Sequence, residues 1–266
     1  MKDMPCYARI ARDAAVPMDA PDHHPGVVRG RLENGRFITP AGALLAVEQA
    51  RFLPPVCPTK IVCVGRNYAE HARELGNEVP AEPLLFLKPP SSLNGHRLPV
   101  VRPRGVEALS YEGELALVIG RRARRVSQSE AWDAVAGFTV LNDITARDWQ
   151  KKDGQWTRAK GSDTFCPVGP GWVPKDQAPF EELRIVTRVN GEVRQDASVT
   201  GMIFPVPRLI EYITSFMTLE PGDLIATGTP PGVGVLAPGD VVVVEIAGVG
   251  SLENRIEAET DPAEKV

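Results

Sequence analysis

The sequence has little cysteine and no long hydrophobic run, and these two features exclude several classes of protein. The four cysteines among its 266 residues, Cys6, Cys57, Cys63 and Cys166, show neither a Cys-x-x-Cys spacing nor a dense cluster. We therefore expect neither a structural zinc site nor a disulfide framework, and reduced thiols are typical of a cytoplasmic protein. No apolar segment reaches the roughly 18–20 residues that span a bilayer. The N-terminus also lacks the charged-then-apolar pattern of a secretion signal.

The chain also lacks a net positive charge and has few aromatic residues. The net charge is −4, the pI is about 5.7 and aromatic residues make up 6 % of the chain. No global field therefore attracts nucleic acid or an anionic membrane, and we expect neither as a partner. One basic run, over 121–125, follows a strand-like segment. Because a nucleic-acid surface needs a wider patch with aromatic residues beside it, we interpret this run as a solvated turn.

Proline and glycine, by contrast, are abundant. Apolar residues make up 43 % of the chain, enough to bury a core, but 25 prolines and 24 glycines divide them into short segments. This favours a mixed, β-rich α+β fold over a regular alternation of strands and helices. Asn-Gly pairs at 34–35 and 190–191 predict tight hairpins. The proline-rich segment 54–58 is a stiff link that no helix can cross, so we predict a small N-terminal domain over 1–57 and a larger domain over 58–266.

The apolar pattern also predicts individual elements. Strands are expected over 60–64, 84–87, 115–119, 137–141, 183–189, 224–226 and 241–246. Helices are expected over 69–75, 129–135 and 207–216, the second of them capped by Ser127 or Ser129 with Glu130 early in its first turn.

Two acidic residues precede the strand over 115–119. Side chains alternate along a strand, so Glu112 and Glu114 share one face. A cation would remove the repulsion between them, and a third carboxylate, Asp143, ends another apolar strand. Hard oxygen ligands without histidine or cysteine favour Mg²⁺, Mn²⁺ or Ca²⁺ over zinc. The alternative is an exposed edge strand that carries two solvated acids.

A histidine and a glutamate form a second group of candidate residues. His71 and Glu74 are three residues apart on a predicted helix, so they are neighbours on one face. A carboxylate beside an imidazole raises its basicity and suits it to deprotonate water, although an ordinary surface pair has the same spacing. Lys160 lies in a segment without helical periodicity and is either a placed cation or a solvated one. The turn over 228–234 lacks the Gly-Lys-Ser/Thr of a nucleotide-binding loop; it either holds a carboxylate or is a plain β-turn.

Several of these segments, in this order, resemble the fumarylacetoacetate hydrolase superfamily, and within it the bacterial branch of acylpyruvases and 2-hydroxyhepta-2,4-diene-1,7-dioate isomerases. The similar segments are Val64-Gly-Arg-Asn-Tyr68 with Glu70-His71, Phe86-Leu-Lys88-Pro89, Tyr111-Glu-Gly-Glu114-Leu115, Leu141-Asn-Asp143-Ile-Thr-Ala-Arg147-Asp148, Ala159-Lys160-Gly161 and Thr227-Gly-Thr229-Pro230. They extend over most of the chain, from about residue 60 to about residue 250.

The resemblance implies a β-roll core in a homodimer, and it implies roles for particular residues. Mg²⁺ or Mn²⁺, with Ca²⁺ as a substitute in vitro, would be held by Glu112, Glu114 and Asp143. His71 and Glu74 would be an acid–base dyad on a lid helix, and Lys160 would be a third catalytic residue. The residues expected to bind the substrate are Arg66, Arg147, Gln150 and Thr229. The first 57 residues look like the small N-terminal domain of the bacterial branch, to which we assign no chemistry.

The activity implied by the resemblance is chemistry through an enolate of a small 2-oxo acid. The first hypothesis is hydrolysis of a C–C bond in a 2,4-dioxo acid of the acylpyruvate or fumarylpyruvate type. The alternative is isomerisation or decarboxylation of 2-hydroxyhepta-2,4-diene-1,7-dioate, an acid of aromatic catabolism, or of oxaloacetate. A third hypothesis is a non-catalytic binding protein on the same fold, although a binding protein has no use for a helix-borne base such as His71.

Overall fold

The computed structural model describes residues 6–47, 50–74, 76 and 78–260, and these residues form mainly β-structure. The strands are β1 (Cys6–Ala11), β2 (Val27–Glu33), β3 (Arg36–Ile38), β4 (Leu44–Ala46), β5 (Arg51–Leu53), β6 (Ile61–Gly65), β7 (Leu84–Lys88), β8 (Leu93–Asn94), β9 (Val100–Arg102), β10 (Leu109–Ser110), β11 (Gly113–Ile119), β12 (Val135–Asn142), β13 (Thr145–Ala146), β14 (Cys166–Pro174), β15 (Arg184–Val189), β16 (Glu192–Ser198), β17 (Leu224–Ala226), β18 (Val235–Leu236), β19 (Val241–Ile246) and β20 (Gly250–Ala258). The α-helices are α1 (Ala69–Glu74), α2 (Arg147–Asp153), α3 (Thr157–Gly161) and α4 (Val206–Phe216). The expected β-rich α+β class is confirmed.

Three sheets organise these strands. The largest sheet has the order β4-β3-β2-β1-β14-β12-β11-β17-β6-β7, and β5 and β8 pair with β1 and β14. A second sheet has the order β16-β15-β19-β20-β9, and a small third sheet joins β13, β10 and β18. Most neighbours are antiparallel, but β17 pairs with β6 in parallel. Strands β11 and β12 therefore lie in the middle of the largest sheet.

Strand β11 is buried along its whole length, because apolar clusters cover both of its faces. Leu115 and Leu117 belong to the larger cluster, which also contains residues of β15, β19 and β20, whereas Ala116 and Val118 belong to a smaller one. A Cβ atom at Gly113 would lie 2.2 Å from the hydroxyl oxygen of Thr187. Only glycine allows this approach, so the start of β11 can pack closely against the second sheet.

Both Asn-Gly hairpins are confirmed. Asn34 and Gly35 have φ values of 50° and 69° between β2 and β3, and Asn190 and Gly191 have 51° and 85° between β15 and β16. Asparagine and glycine are the residues that adopt this left-handed region most readily. Local turn chemistry was therefore sufficient to predict both hairpins.

The strands of the N-terminal segment have a small core of their own and also extend the largest sheet. Ala8, Ile10, Phe37 and Phe52 form a separate buried cluster. Strand β1 pairs with β14, with Tyr7 opposite Trp172 and Ala8 opposite Gly171 in the register. The division at residue 57 stays a prediction.

The helices differ from expectation in two respects. The segment expected as a helix over 129–135 is a 3-10 helix over Gln128–Ala134, and the Glu130 carboxylate accepts hydrogen bonds from the backbone and hydroxyl of Ser127. Lys160 lies on α3, a helix that the absence of helical periodicity around it did not predict. A helix of five residues is too short to show a 3.6-residue period.

The predicted helix over 207–216 is confirmed by α4, and that over 69–75 by α1, although Leu75 is outside the described residues. Among those residues, no helix is long and apolar enough to cross a membrane.

Candidate active site

Three buried carboxylates converge at the adjoining ends of β11 and β12. Ligand atoms of Glu112, Glu114 and Asp143 all lie within 4.8 Å of one another. Gly113 is opposite Asn142 in the register of the two strands, and the Asp143 amide donates to the Glu112 carbonyl at 2.8 Å. Antiparallel pairing thus brings together acids that are about 30 positions apart. Their exposures of 5 %, 2 % and 0 % exclude the exposed edge strand.

Cationic side chains contact two of these three acids. Lys160 Nζ lies 2.7 Å from Glu112 Oε2 and 2.6 Å from Asp143 Oδ2. Arg147 Nη2 donates to Glu112 Oε1 at 2.5 Å, and Lys88 Nζ donates to Asp143 Oδ1 at 2.5 Å. Glu114 differs, since its Oε2 accepts from the Gly228 amide at 2.8 Å and no described cation pairs with it.

The pKa values of the acids reflect this uneven pairing. Burial alone would raise the pKa of Glu112, but the charges of Arg147 and Lys160 outweigh it and hold that pKa well below its ordinary value. Burial, with the neighbouring charges of Asp143 and Glu112, raises the pKa of Glu114 well above its ordinary value. A divalent cation beside Glu114 would supply the missing positive charge, and an all-oxygen donor set suits Mg²⁺ or Mn²⁺. The residues present therefore fit a metal ion, and its binding stays a prediction.

Helix α1 carries the predicted dyad. His71 Nδ1 lies 3.3 Å from Glu74 Oε2, and the Glu74 carboxylate also accepts from the Gly232 amide at 3.1 Å. His71 is 4 % exposed, and its Nε2 has no partner among the described residues. Burial lowers the pKa of His71 below its ordinary value, and this outweighs the opposite effects of Glu112 and Glu74. The imidazole is thus neutral near pH 7 and can accept a proton.

The acids and the histidine line one cavity of about 530 Å³, a volume typical of small-molecule sites. Of the residues predicted for the site, those that line this cavity are Arg66, His71, Glu112, Glu114, Asp143, Arg147, Gln150, Lys160 and Thr229. Glu74 is not part of the lining and contacts the imidazole of His71 at Nδ1. Phe86 and Trp156, whose rings lie edge to face at a centroid distance of 5.2 Å, form an apolar part of the wall. The structure thus brings the predicted residues together, and their roles stay predictions.

Two buried polar residues next to the site were not predicted from sequence. Lys88, which pairs with Asp143, lies in the family-like segment Phe86-Leu-Lys88-Pro89, and that segment was the available signal. Gln195 donates to the Thr229 hydroxyl at 2.8 Å and accepts from the Gly113 amide at 3.0 Å. The Thr229 hydroxyl in turn donates to the Gly113 carbonyl at 2.9 Å. These bonds hold the loop around Thr229 against the start of β11, and no local pattern around Gln195 pointed to them.

A β-rich fold that places an acidic cluster beside a helix-borne histidine in one cavity is typical of an enzyme active site, and these acids could hold a hard cation. The chain belongs to the fumarylacetoacetate hydrolase family, because residues 60–257 match the family described as Fumarylacetoacetate (FAA) hydrolase C-terminal. The resemblance derived from the sequence motifs is confirmed.

The relatives with named activities catalyse different reactions. The oxaloacetate tautomerase YisK of Bacillus subtilis is 47 % identical over 212 residues, which cover 75 % of this chain and 70 % of that protein. The crystal structure of a 2-hydroxyhepta-2,4-diene-1,7-dioate isomerase from Mycobacterium marinum has a TM-score of 0.82 and 39 % identity, covering 97 % of this chain and 100 % of that chain. A fumarylpyruvate hydrolase from Pseudomonas aeruginosa, in complex with Mn²⁺ and pyruvate, has a TM-score of 0.72 and 32 % identity, covering 80 % and 93 %.

Proposed function

We propose that this chain catalyses proton transfer at the carbon next to the carbonyl of a small 2-oxo acid. The reaction we propose for it is the keto–enol tautomerisation of oxaloacetate. The observation that carries the proposal is the position of the buried His71 imidazole, which lines the same cavity as the three carboxylates. A base positioned in this way can take a proton from carbon. The similarity to an oxaloacetate tautomerase and to an isomerase, both of which shift a proton, favours proton transfer over hydrolysis as the first candidate.

The residues of the cavity have different roles in such a reaction. When bound by Glu112, Glu114 and Asp143, Mg²⁺ or Mn²⁺ would supply Lewis acidity towards the 2-oxo group. His71 accepts the proton from carbon at Nε2, and Glu74 stabilises the resulting imidazolium through Nδ1. Lys160 and Arg147 add positive potential where the substrate becomes an enolate. The enolate oxygen then takes a proton from water, and His71 returns its own proton to water.

Hydrolysis of a C–C bond in a 2,4-dioxo acid is the second candidate. The same imidazole can deprotonate a water molecule, which then attacks the carbonyl farther along the chain. Cleavage of the C–C bond leaves its electron pair on the pyruvate fragment as an enolate, and this fragment is then protonated at carbon. The similarity to a fumarylpyruvate hydrolase is the observation that favours this candidate. Decarboxylation of oxaloacetate uses the same enolate but needs no attacking water.

A metal-exchange assay tests whether the site is catalytic. The protein is treated with a chelator and then assayed with and without added Mg²⁺ or Mn²⁺ for oxaloacetate tautomerisation, oxaloacetate decarboxylation, and pyruvate release from acetylpyruvate and fumarylpyruvate. We expect tautomerisation to disappear after chelation and to return with either ion. Absence of all four activities with metal present would overturn the proposal, and pyruvate release without tautomerisation would favour the second candidate.

Substitution of the base tests the role of the dyad. We expect His71→Ala to lower the rate of tautomerisation by about 10²-fold or more, the usual contribution of a positioned base. His23→Ala is the matched control, because His23 is exposed and distant in sequence from the cavity lining. Equal rates for His71→Ala and the wild-type protein would show that another group is the base.

A further inference from the structure

Two cations that line the cavity have no acidic partner among the residues that the structure describes. Four basic side chains line it, and two of them, Arg147 and Lys160, contact the carboxylate cluster. Arg66 and Lys151 line the same cavity, and neither forms an ion pair or hydrogen bond with a described residue. The four cations also outnumber the three carboxylates of the wall, even before a metal ion is counted. The cavity therefore has positive charge that its own acids do not neutralise.

Arg66 is fixed in position by a strained turn. It follows β6 with a φ of 56°, a left-handed conformation that is uncommon for residues other than glycine and asparagine. The next residue, Asn67, holds the turn, since its side-chain amide donates to the Thr227 carbonyl at 2.8 Å and to the Phe204 carbonyl at 3.2 Å. Such strain persists where the surroundings over-determine the conformation, and it is common at ligand sites. The arginine side chain consequently starts from a defined point at the cavity wall.

Lys151 is placed by helix α2. It lies four residues after Arg147, so both side chains are on the same face of the helix. One helical turn advances by about 5 Å along the axis, and Arg147 is the residue that contacts Glu112. Lys151 is therefore about one turn farther along the helix than the cation at the carboxylate cluster.

We propose that Arg66 and Lys151 bind the second carboxylate of the substrate, and that the enzyme is therefore selective for 2-oxo dicarboxylic acids over 2-oxo monocarboxylic acids. The inference rests on the proposed function, because it places the 2-oxo end of the acid at the carboxylate cluster. A monocarboxylic acid bound there has no group to neutralise Arg66 and Lys151. A dicarboxylic acid does, and charge-assisted hydrogen bonds of this kind are the strong ones in proteins.

A matched pair of stable ligands tests this selectivity without turnover. Malate and 2-hydroxybutyrate share the 2-hydroxy acid end, and a carboxylate in malate replaces the methyl group of 2-hydroxybutyrate. Titration calorimetry with the Mn²⁺-loaded protein should show malate binding at least about tenfold more tightly, the ratio that corresponds to about 1.4 kcal/mol. Equal affinities would overturn the proposed subsite, in which Arg66 and Lys151 bind the second carboxylate.

Four substitutions assign the effect to particular residues. Lys151→Gln and Arg66→Gln should each weaken malate binding by about five- to tenfold and leave 2-hydroxybutyrate binding unchanged. Lys152→Gln is the matched control, because Lys152 is the exposed neighbour on α2 that does not line the cavity, and it should change neither affinity. Arg66→Lys, which keeps the charge, should recover part of the loss if the glutamine variant proves unstable. Equal weakening of both ligands, or an equal effect of Lys152→Gln, would contradict the proposal.

Kinetics separate this inference from the proposed function. With oxaloacetate, Lys151→Gln should raise KM by about the factor measured for malate while kcat stays near the wild-type value. If the wild-type protein prefers malate but does not turn over oxaloacetate, the proposed function fails and the subsite stands. If it turns over oxaloacetate but binds both ligands equally, the subsite alone fails.

Discussion

His71 is a residue whose protonation depends on carboxylates from two different elements. Burial lowers its pKa, while Glu112 at the start of β11 and Glu74 on its own helix act in the opposite direction. Because the base must be neutral to accept a proton, activity should be lost as the pH falls through this lowered pKa. The acid limb of the pH profile therefore lies below the ordinary histidine value of about 6.5.

Replacement of Glu74 should move that limb in a defined direction. Glu74→Gln removes a group that favours the charged imidazole, so the pKa of His71 falls further and the acid limb of kcat/KM shifts to lower pH. The plateau should fall by about tenfold, because a weaker base transfers the proton less readily. Profiles of kcat/KM against pH at saturating Mn²⁺ measure both effects. Glu70→Gln, an exposed residue on the same helix, is the control, and a limb that moved to higher pH would show that Glu74 does not support the imidazolium.

Single residues were predictable from sequence where the chemistry is local. Glu112 and Glu114 are two positions apart, and His71 and Glu74 are three, so strand and helix geometry relates each pair directly. Lys88 shows the limit of this approach. Its partner Asp143 is 55 positions away, and a lysine that ends an apolar strand usually reaches solvent. Only the tertiary structure shows that this amine is buried.

Short elements were the least predictable part of the fold. The Asn-Gly hairpins and the amphipathic helix α4 have strong local signals, and each was found. Helices α2 and α3 have seven and five residues, and helices of this length depend on tertiary contacts rather than on propensity. The 3-10 helix over Gln128–Ala134 has a helical start signal at Ser127, but its geometry was not evident from sequence.

The basic run over 121–125 has a structural role, because it contacts the last turn of helix α4. Its arginines are exposed as expected, but the run bends around the buried Ala123, which forms an isolated bridge with Leu219, and is not a simple turn. Arg124 also donates from Nη1 to the carbonyls of Thr214 and Ser215, at 2.7 Å each. These carbonyls belong to the last turn of α4, where the helix has no donors of its own. A cation there also interacts favourably with the helix dipole. The basic run thus caps α4 and connects it to the end of β11.

Removal of this cap should destabilise the protein measurably. We expect Arg124→Ala to lower the free energy of unfolding by about 1 kcal/mol, the usual value of a cap or a charge at a helix terminus. Urea denaturation followed by circular dichroism measures the change. Arg122→Ala is the control, because Arg122 is exposed and, among the described residues, pairs only with the side chain of Glu220 at 3.4 Å. Similar losses for the two variants would show that net charge, and not capping, is responsible.

At the scale of the whole molecule, the N-terminal strands contact the rest of the chain through strand pairing, ring packing and close backbone approach. Besides the pairing of β1 with β14, the ring of Phe52 packs edge to face against His96 at a centroid distance of 5.4 Å. A Cβ atom at Gly95 would lie 2.0 Å from the Phe52 carbonyl oxygen, so this glycine permits the close approach. Arg9 donates to the carbonyls of Pro54 and Val56, which ties β1 to the proline-rich link.

The predicted division at residue 57 can therefore be tested by truncation. The largest buried cluster draws its members from residue 62 onwards, with Cys6 as its one member from the N-terminal strands among the described residues. Every residue assigned to the site also lies beyond position 57. We expect a chain of residues 58–266 to unfold cooperatively, but at a lower temperature than the full chain, because loss of β1 exposes one edge of β14. Added Mn²⁺ should raise the melting temperature of both forms by a similar amount, since a ligand of the native state stabilises it by mass action. A truncated chain without a cooperative transition would mean that residues 1–57 and the rest form one folding unit, joined through the β1–β14 pairing.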